Sequence, residues 1–306
     1  MFTYAPRTTP KPHPASLLLL LTIWLGLFCW AGPVSAQFHL KERGPRPRLT
    51  PPDAIQARAV QLVDSQTGQV LYARNPDERL LPASTTKLMT ALIVYEKLGG
   101  FNGSVTIRDA DRAEPSNIPV VPGETISVDK LFHALLIESA NDAARALGRY
   151  VAGSNEAFVA MMNQRALAMG CFNTHFNNPN GLPAPSGTHY TSCADLMLIF
   201  RAVLKYPELA RIMSTKEYIF TTASGTHIFR NHNRLLGAYP GMGPAKTGWT
   251  VASRHTYACA ATQKGHQILL TLLDSPNKWL DTQILFNWGF AQLEAEAQTA
   301  AGGAAP

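Results

Sequence analysis

Apolar and polar positions alternate over residues 57–64, break at Ser65-Gln66-Thr67-Gly68, and resume over Val70–Ala73. That pattern predicts a β-hairpin at the start of the folded region. Apolar positions then move to helical spacing at Leu88, Met89, Leu92, Ile93 and Tyr95. Pro82 cannot sit inside that helix and marks its start, and Gly99-Gly100 stops it. A short strand is expected at Val105–Ile107. Ser127 reads as the N-cap of a helix that turns Leu131, Leu135 and Leu136 inward. Helical patterns recur over 141–152, 155–169 and 192–204, broken by Gly153, Gly170 and Pro207. Between the last two, residues 171–190 are rich in Asn, Pro and Gly and predict a long loop, a feature usually tied to function.

The final third turns to strand patterns at 217–222, 226–230, 245–250, 254–262 and 267–274, with Gln263-Lys264-Gly265-His266 as a hairpin turn. A helix bearing Trp279, Ile284, Leu285 and Trp288 follows. Helices enclosed between an N-terminal hairpin and C-terminal strands predict one sheet built from both chain ends. From residue 292 to 306 the chain is Ala-, Gln- and Gly-rich without a basic amphipathic face, so a disordered tail and no membrane anchor are expected.

The chain has 306 residues and 46% hydrophobic content, enough for a sizeable core in one large domain or a domain with an embedded subdomain. Residues 1–36 have the pattern of a secretory signal: Arg7 and Lys11, the apolar run Leu17–Ala31, then Val34-Ser35-Ala36. The run is short for a membrane span, so cleavage after Ala36 and export to the periplasm or cell envelope are expected. Residues 37–53 form a Pro-rich spacer that is not expected to pack. Loss of the signal removes two positive charges and lowers the formal net charge from +6 to +4. No basic cluster accompanies this mild bias, so nucleic-acid binding is not indicated. Cys171, Cys193 and Cys259 then remain and permit one disulfide at most.

Three Ser-x-x-Lys pairs occur: Ser84/Lys87, Ser127/Lys130 and Ser275/Lys278. Residues three apart share a helical face, so Ser84 and Lys87 at a helix start bring a hydroxyl and an amine within reach of each other. An alcohol becomes a nucleophile when a base takes its proton, and a desolvated lysine can be that base. Ser at a helix start is more often a cap, and the pair alone decides nothing. Two later stretches give it meaning. Ser139-Ala140-Asn141 lies where one helix ends and the next begins, and Lys246-Thr247-Gly248 opens a predicted strand.

In this order, with this spacing, the three motifs resemble those of the penicillin-recognising serine enzymes. The nearest resemblance is to the low-molecular-weight D-alanyl-D-alanine carboxypeptidases. It extends to Asn173–Leu182 (NTHFNNPNGL), His189–Leu196 (HYTSCADL), Arg230–Leu236 (RNHNRLL) and Trp288-Gly289-Phe290, and covers about residues 54–291. The resemblance implies a β-lactamase/transpeptidase-like α/β (α+β) fold, an antiparallel sheet flanked by helices with an all-helical subdomain. It implies Ser84 as the nucleophile toward the bond between two D-alanines of a peptidoglycan stem peptide, with β-lactams as covalent inhibitors. Lys87 is implied as the base, Ser139 as the relay to the departing amine, and Asn141 as a partner of Lys87 and of a substrate carbonyl. Lys246 and Thr247 hold the terminal carboxylate, Gly248 leaves room for a substrate strand, and the N–H groups of Ser84 and Trp249 hold the oxyanion. Lys87 is expected to be neutral and buried, and Lys246 charged and resting on solvent.

An arginine matching the family's carboxylate ligand is not identified near Asp274–Lys278. The chain also resembles shorter relatives that include D,D-endopeptidases, so cleavage of cross-links is the alternative reaction. Ala140 where class A β-lactamases carry Asp, and a 171–190 loop without Glu-x-x-Leu-Asn, speak against that group. No cofactor or metal is implied, since His-Glu-x-x-His is absent among the nine histidines, and His232 reads as a hydrogen-bonding residue. A non-catalytic wall-binding module would leave Ser84, Lys87, Ser139 and Lys246 unexplained.

Overall fold

The computed structural model describes residues 49–184 and 188–302, so the expected signal and most of the spacer lie outside the described residues. The predicted hairpin forms as β1 (Ala59–Asp64) and β2 (Val70–Arg74). Three long strands close the sheet: β7 (Met242–Thr250), β8 (Arg254–Gln263) and β9 (His266–Ser275). The order β2-β1-β9-β8-β7 is antiparallel throughout, which joins the two ends of the chain in one sheet as expected. Side chains alternate across it. Ala59, Val63, Ala258, Ala260, Leu269 and Leu273 face a helical layer, while Val60, Leu62, Tyr257, Leu270 and Leu272 face the last helix. Burial on both faces explains why β8 and β9 read as nearly continuous apolar runs.

The helical layer holds α1 (Lys87–Leu98), α2 (Val128–His133), α3 (Asn141–Ala152), α4 (Asn155–Ala168), α5 (Cys193–Leu204) and α6 (Pro207–Met213). The expected caps are in place. Gly99 ends α1 with φ 61°, and the Lys130 N–H donates to Ser127 Oγ at the start of α2. Pro207, read as a break, is also the first residue of α6, where its missing N–H costs nothing. Two short strands, β3 (Ser104–Thr106) and β4 (Thr125–Ser127), pair beside this layer.

The strands expected at 217–222 and 226–230 form β5 (Glu217–Thr222) and β6 (Gly225–Arg230), but they pair only with each other. Their pattern is one-sided: Phe220 and Phe229 are buried, and Ile219 and Ile228 are exposed. Such a hairpin covers the helical layer; it cannot take a place in a sheet buried on both faces.

The segment from 292 is a correction. Helix α7 runs from Lys278 to Gly302, so the residues expected to be disordered continue a helix through 302. Ala, Gln and Glu are strong helix formers, and Leu293 and Gln292 are buried against the domain. The end of the spacer packs as well. The Leu49 N–H donates to Gln292 Oε1 at 2.8 Å, and Trp288 Nε1 donates to the Thr50 carbonyl at 2.9 Å. Among the described residues no helix is long and apolar enough to cross a membrane.

Candidate active site

Ser84 lies on a 3-10 turn, Ala83–Thr86, that leads directly into α1. The turn is fixed through one carbonyl. Pro82 O accepts from Thr85 Oγ1 at 2.7 Å and from Thr256 Oγ1 of β8 at 2.8 Å. Ala83 is held at φ 47°, a left-handed conformation rare outside glycine. Lys87, one turn later, is fully buried, and its Nζ stands 2.9 Å from Ser84 Oγ. Ser84 and Lys87 therefore share one face, as their spacing predicts.

The second motif is presented by an unusual turn. After α2 the chain winds as a π-helix over Ala134–Glu138, and Ser139 ends it with φ 63°. π-Helical turns and non-glycine residues at positive φ concentrate at functional sites. Asn141 opens α3 and accepts from Lys87 Nζ at 2.8 Å through Oδ1. On β7, Lys246 Nζ donates to Ser139 Oγ at 2.8 Å and to the Thr247 carbonyl at 2.9 Å. Gly248 passes so close to the Ser84 turn that an added Cβ would lie 2.8 Å from Ser84 N and 2.3 Å from Thr256 Oγ1. Trp249 follows with its side chain exposed at the cleft. Ser84, Ser139, Asn141, Thr247, Gly248 and Trp249 thus line one cleft of about 660 Å³, with the two lysines buried behind.

Burial, with Lys246 nearby adding to it, holds the Lys87 amine well below the ordinary lysine range, while Asp142 opposes the shift. Lys246 departs from expectation: it is 2% exposed and does not rest on solvent. Burial and the Lys278 charge bring its amine down to about 7, against the opposing effect of Glu138.

Lys87 has a third partner that no sequence pattern announces. Its Nζ also donates to the Asn180 carbonyl at 2.7 Å. Asn180 belongs to the long 171–190 loop, which is fastened along α1. Thr90 Oγ1 donates to the Pro179 carbonyl at 2.6 Å, and Thr86 Oγ1 meets His189 Nε2 at 2.9 Å. His189 Nδ1 accepts from the Asn177 N–H, so its proton is assigned to Nε2 and faces Thr86. Asn178 Oδ1 accepts from the Gly181 N–H at 2.7 Å and braces the loop internally.

Lys278 is a cleft residue that its own Ser-x-x-Lys pair does not announce, since no partner motifs follow Ser275 in order. Ser127 and Ser275 are indeed elsewhere: Ser127 caps α2, and Ser275 Oγ donates to Asp281 Oδ2 at 2.7 Å. Lys278, however, lines the cleft 3.0 Å from His255 Nδ1, and burial and Arg234 lower its amine to about 8. Arg234 lines the same cleft. Neither makes an ion pair with a carboxylate among the described residues. Burial, with the cations Lys246, Lys278 and Lys87, keeps His232 down to about 4, and its Nε2 is 4.0 Å from Glu138, beyond hydrogen-bond range. Cys171, Cys193 and Cys259 are free and buried, so none forms a disulfide or faces the cleft.

Comparison with known proteins agrees with this geometry. A family model described as D-alanyl-D-alanine carboxypeptidase, Peptidase_S11, matches residues 47–277. The chain is 34% identical over 237 residues to the D-alanyl-D-alanine carboxypeptidase DacB2 of Mycobacterium tuberculosis, covering 75% of this chain and 81% of that one. It is 33% identical to DacF of Bacillus subtilis, over 90% of this chain and 72% of the relative. A crystal structure of a D-alanyl-D-alanine carboxypeptidase from M. tuberculosis superposes with a TM-score of 0.75 at 33% identity, covering 81% of this chain and 96% of that one. The protein belongs to the D-alanyl-D-alanine carboxypeptidase family of serine peptidases, with the penicillin-binding fold.

Proposed function

We propose that the chain removes the terminal D-alanine from peptidoglycan stem pentapeptides through an acyl-enzyme on Ser84, with Lys87 as the base. The contacts of Lys87 Nζ carry this reading. A neutral amine has two N–H bonds and one lone pair. The carbonyl oxygens of Asn141 and Asn180 are acceptors only, so they take both N–H bonds. The lone pair is left for the remaining neighbour, and Ser84 O–H donates to it. The geometry is that of an alcohol about to lose its proton.

As Ser84 Oγ bonds to the scissile carbonyl carbon, its proton passes to Lys87. The oxyanion is met by the backbone N–H groups of Ser84 and Trp249. When the C–N bond breaks, Ser139 gives its proton to the departing amine and takes in exchange the one Lys87 accepted, so Lys87 is neutral again, while Lys246 keeps its own proton and donates a hydrogen bond to Ser139 Oγ. The terminal carboxylate is met by Thr247 with Lys278 and Arg234, the cations that line the cleft, and Lys246 adds its charge from behind. Water then releases the acyl group. A β-lactam presents a carboxylate and a strained amide in the same relation, so it acylates Ser84 as well.

A cross-link whose acceptor carbon bears a free carboxylate offers the same anion beside the scissile amide. The cleft therefore also suits the D,D-endopeptidase reaction. Mass spectrometry after incubation with pentapeptide monomer and with cross-linked dimer separates the two. Loss of one D-alanine from the monomer, with the dimer intact, is the expected result; dimer cleavage with an unchanged monomer would replace this reading with the alternative. The signal-like residues 1–36 support export to the periplasm or cell envelope. N-terminal sequencing of envelope fractions should find a chain starting near Gln37, and a retained Met1 would contradict it.

A further inference from the structure

Asp142 directly follows the Ser139-Ala140-Asn141 motif and is 2% exposed. Its two carboxylate oxygens both accept from the Ile118 N–H, at 3.0 and 2.8 Å, and Oδ1 also accepts from the Ala143 N–H at 2.8 Å. Ile118 ends a loop whose Pro115 and Ser116 line the cleft. That loop has a second tie to the motif, because the Asn141 N–H donates to the Ser116 carbonyl at 2.6 Å. The burial of a carboxylate is costly unless it is well bonded and has a use. Here the hydrogen bonds come from backbone groups, and no side-chain cation touches it.

We propose that Asp142 is a positioning residue for acylation: it pins the Pro115–Ile118 loop to the turn presenting Ser139 and Asn141, and keeps a negative charge behind Lys87. The proposal rests on the reading of Lys87 as the base. Proton transfer from Ser84 creates an ammonium ion at Lys87 in a buried place already facing Lys246 of β7. Among the groups acting on Lys87, Asp142 is the one that favours its charged form. Burial pushes the Asp142 carboxyl up to about 6, against its backbone hydrogen bonds and Arg112 from the loop before Pro115, so it is ionised at neutral pH and above. His232, after β6, feels the Lys87 charge and stays neutral. Glu138, the other acid nearby, acts on Lys246.

The experiment is the pH profile of Ser84 acylation in Asp142→Asn and Asp142→Glu, with Lys87→Met measured alongside. Loss of the carboxylate charge makes the Lys87 ammonium less stable, so the amine is neutral at lower pH. In Asp142→Asn the midpoint of the rise in rate should fall by about one pH unit, the low end of what a nearby opposite charge produces. The plateau rate should fall as well, since the base is weaker and the loop is held by fewer bonds. A purely structural role would lower the melting temperature and leave the midpoint in place, and that result overturns the proposal. Asp142→Glu keeps the charge but has a longer arm, so the midpoint should stay while the rate drops. If Asp142→Asn does not fold, a parent rate in Asp142→Glu is the overturning result. Full acylation by Lys87→Met would instead remove the base assignment itself, so the two failures are distinct.

Discussion

Lys87→Met should cut Ser84 acylation by roughly 100- to 10,000-fold, the usual contribution of a positioned general base. Methionine fills the slot of the buried stem and carries no amine. The change leaves Asn141 Oδ1 and the Asn180 carbonyl without their donor, at a cost of about 1–3 kcal/mol for each buried group left unsatisfied. It also removes a buried amine whose charged form is disfavoured there, which offsets part of that cost, so a folded protein is expected. Arginine keeps a charge and cannot deprotonate. Yet Lys87 is fully buried and faces Lys246, and a larger permanent cation in that place threatens the fold along with the chemistry. Methionine is the cleaner probe. Acylation rates and thermal melts of the same sample check both halves of the expectation.

Gly181→Ala should be nearly as damaging, although Gly181 touches no reacting atom. Its φ is 86°, and an added Cβ would lie 1.8 Å from the Ala83 carbonyl oxygen, 2.4 Å from its carbon and 2.9 Å from Thr86 Oγ1. Backbone faces backbone, so no side chain can turn aside. Either the turn carrying Ser84 moves or the loop carrying Asn180 does, and Lys87 loses its geometry in both cases. A displacement near 1 Å is worth about 100-fold in rate. Overpacking adds about 1–3 kcal/mol of instability. Stopped-flow acylation with a thermal melt measures the two effects, and a parent rate would show that the loop does not set the position of the Ser84 turn.

These two residues mark what the sequence made legible and what it did not. Ser84, Lys87, Ser139, Asn141 and Lys246 were readable because their chemistry lies in side chains at recognisable spacings, and the structure brings them together. Asn180 acts through its backbone carbonyl, which no residue type announces, and Gly181 matters through contact with a segment about a hundred residues earlier. The burial of Lys246 depends on how β7 packs against the Ser139 turn, a tertiary fact. Hairpin β1–β2 followed from alternation, the start of α2 from its Ser127 cap, and the end of α3 from Gly153. The length of α7 did not, because an Ala/Gln-rich run is compatible with disorder until Leu293 and Gln292 find a surface to pack on. Likewise, nothing local told β5 and β6 to pair apart from the main sheet.

The most direct test of a Ser84 acyl-enzyme activated by a neutral Lys87 is acylation by labelled penicillin, followed by stopped flow across pH and closed by peptide mapping. The label is expected on Ser84, at a rate that rises with pH. The sign follows from burial: the folded Lys87 amine lies below its usual value of 10.5, and its neutral, proton-accepting form grows as pH climbs through that lowered value. A label on Ser127 or Ser275, or a rate indifferent to pH in the range where Lys87 titrates, would contradict the mechanism.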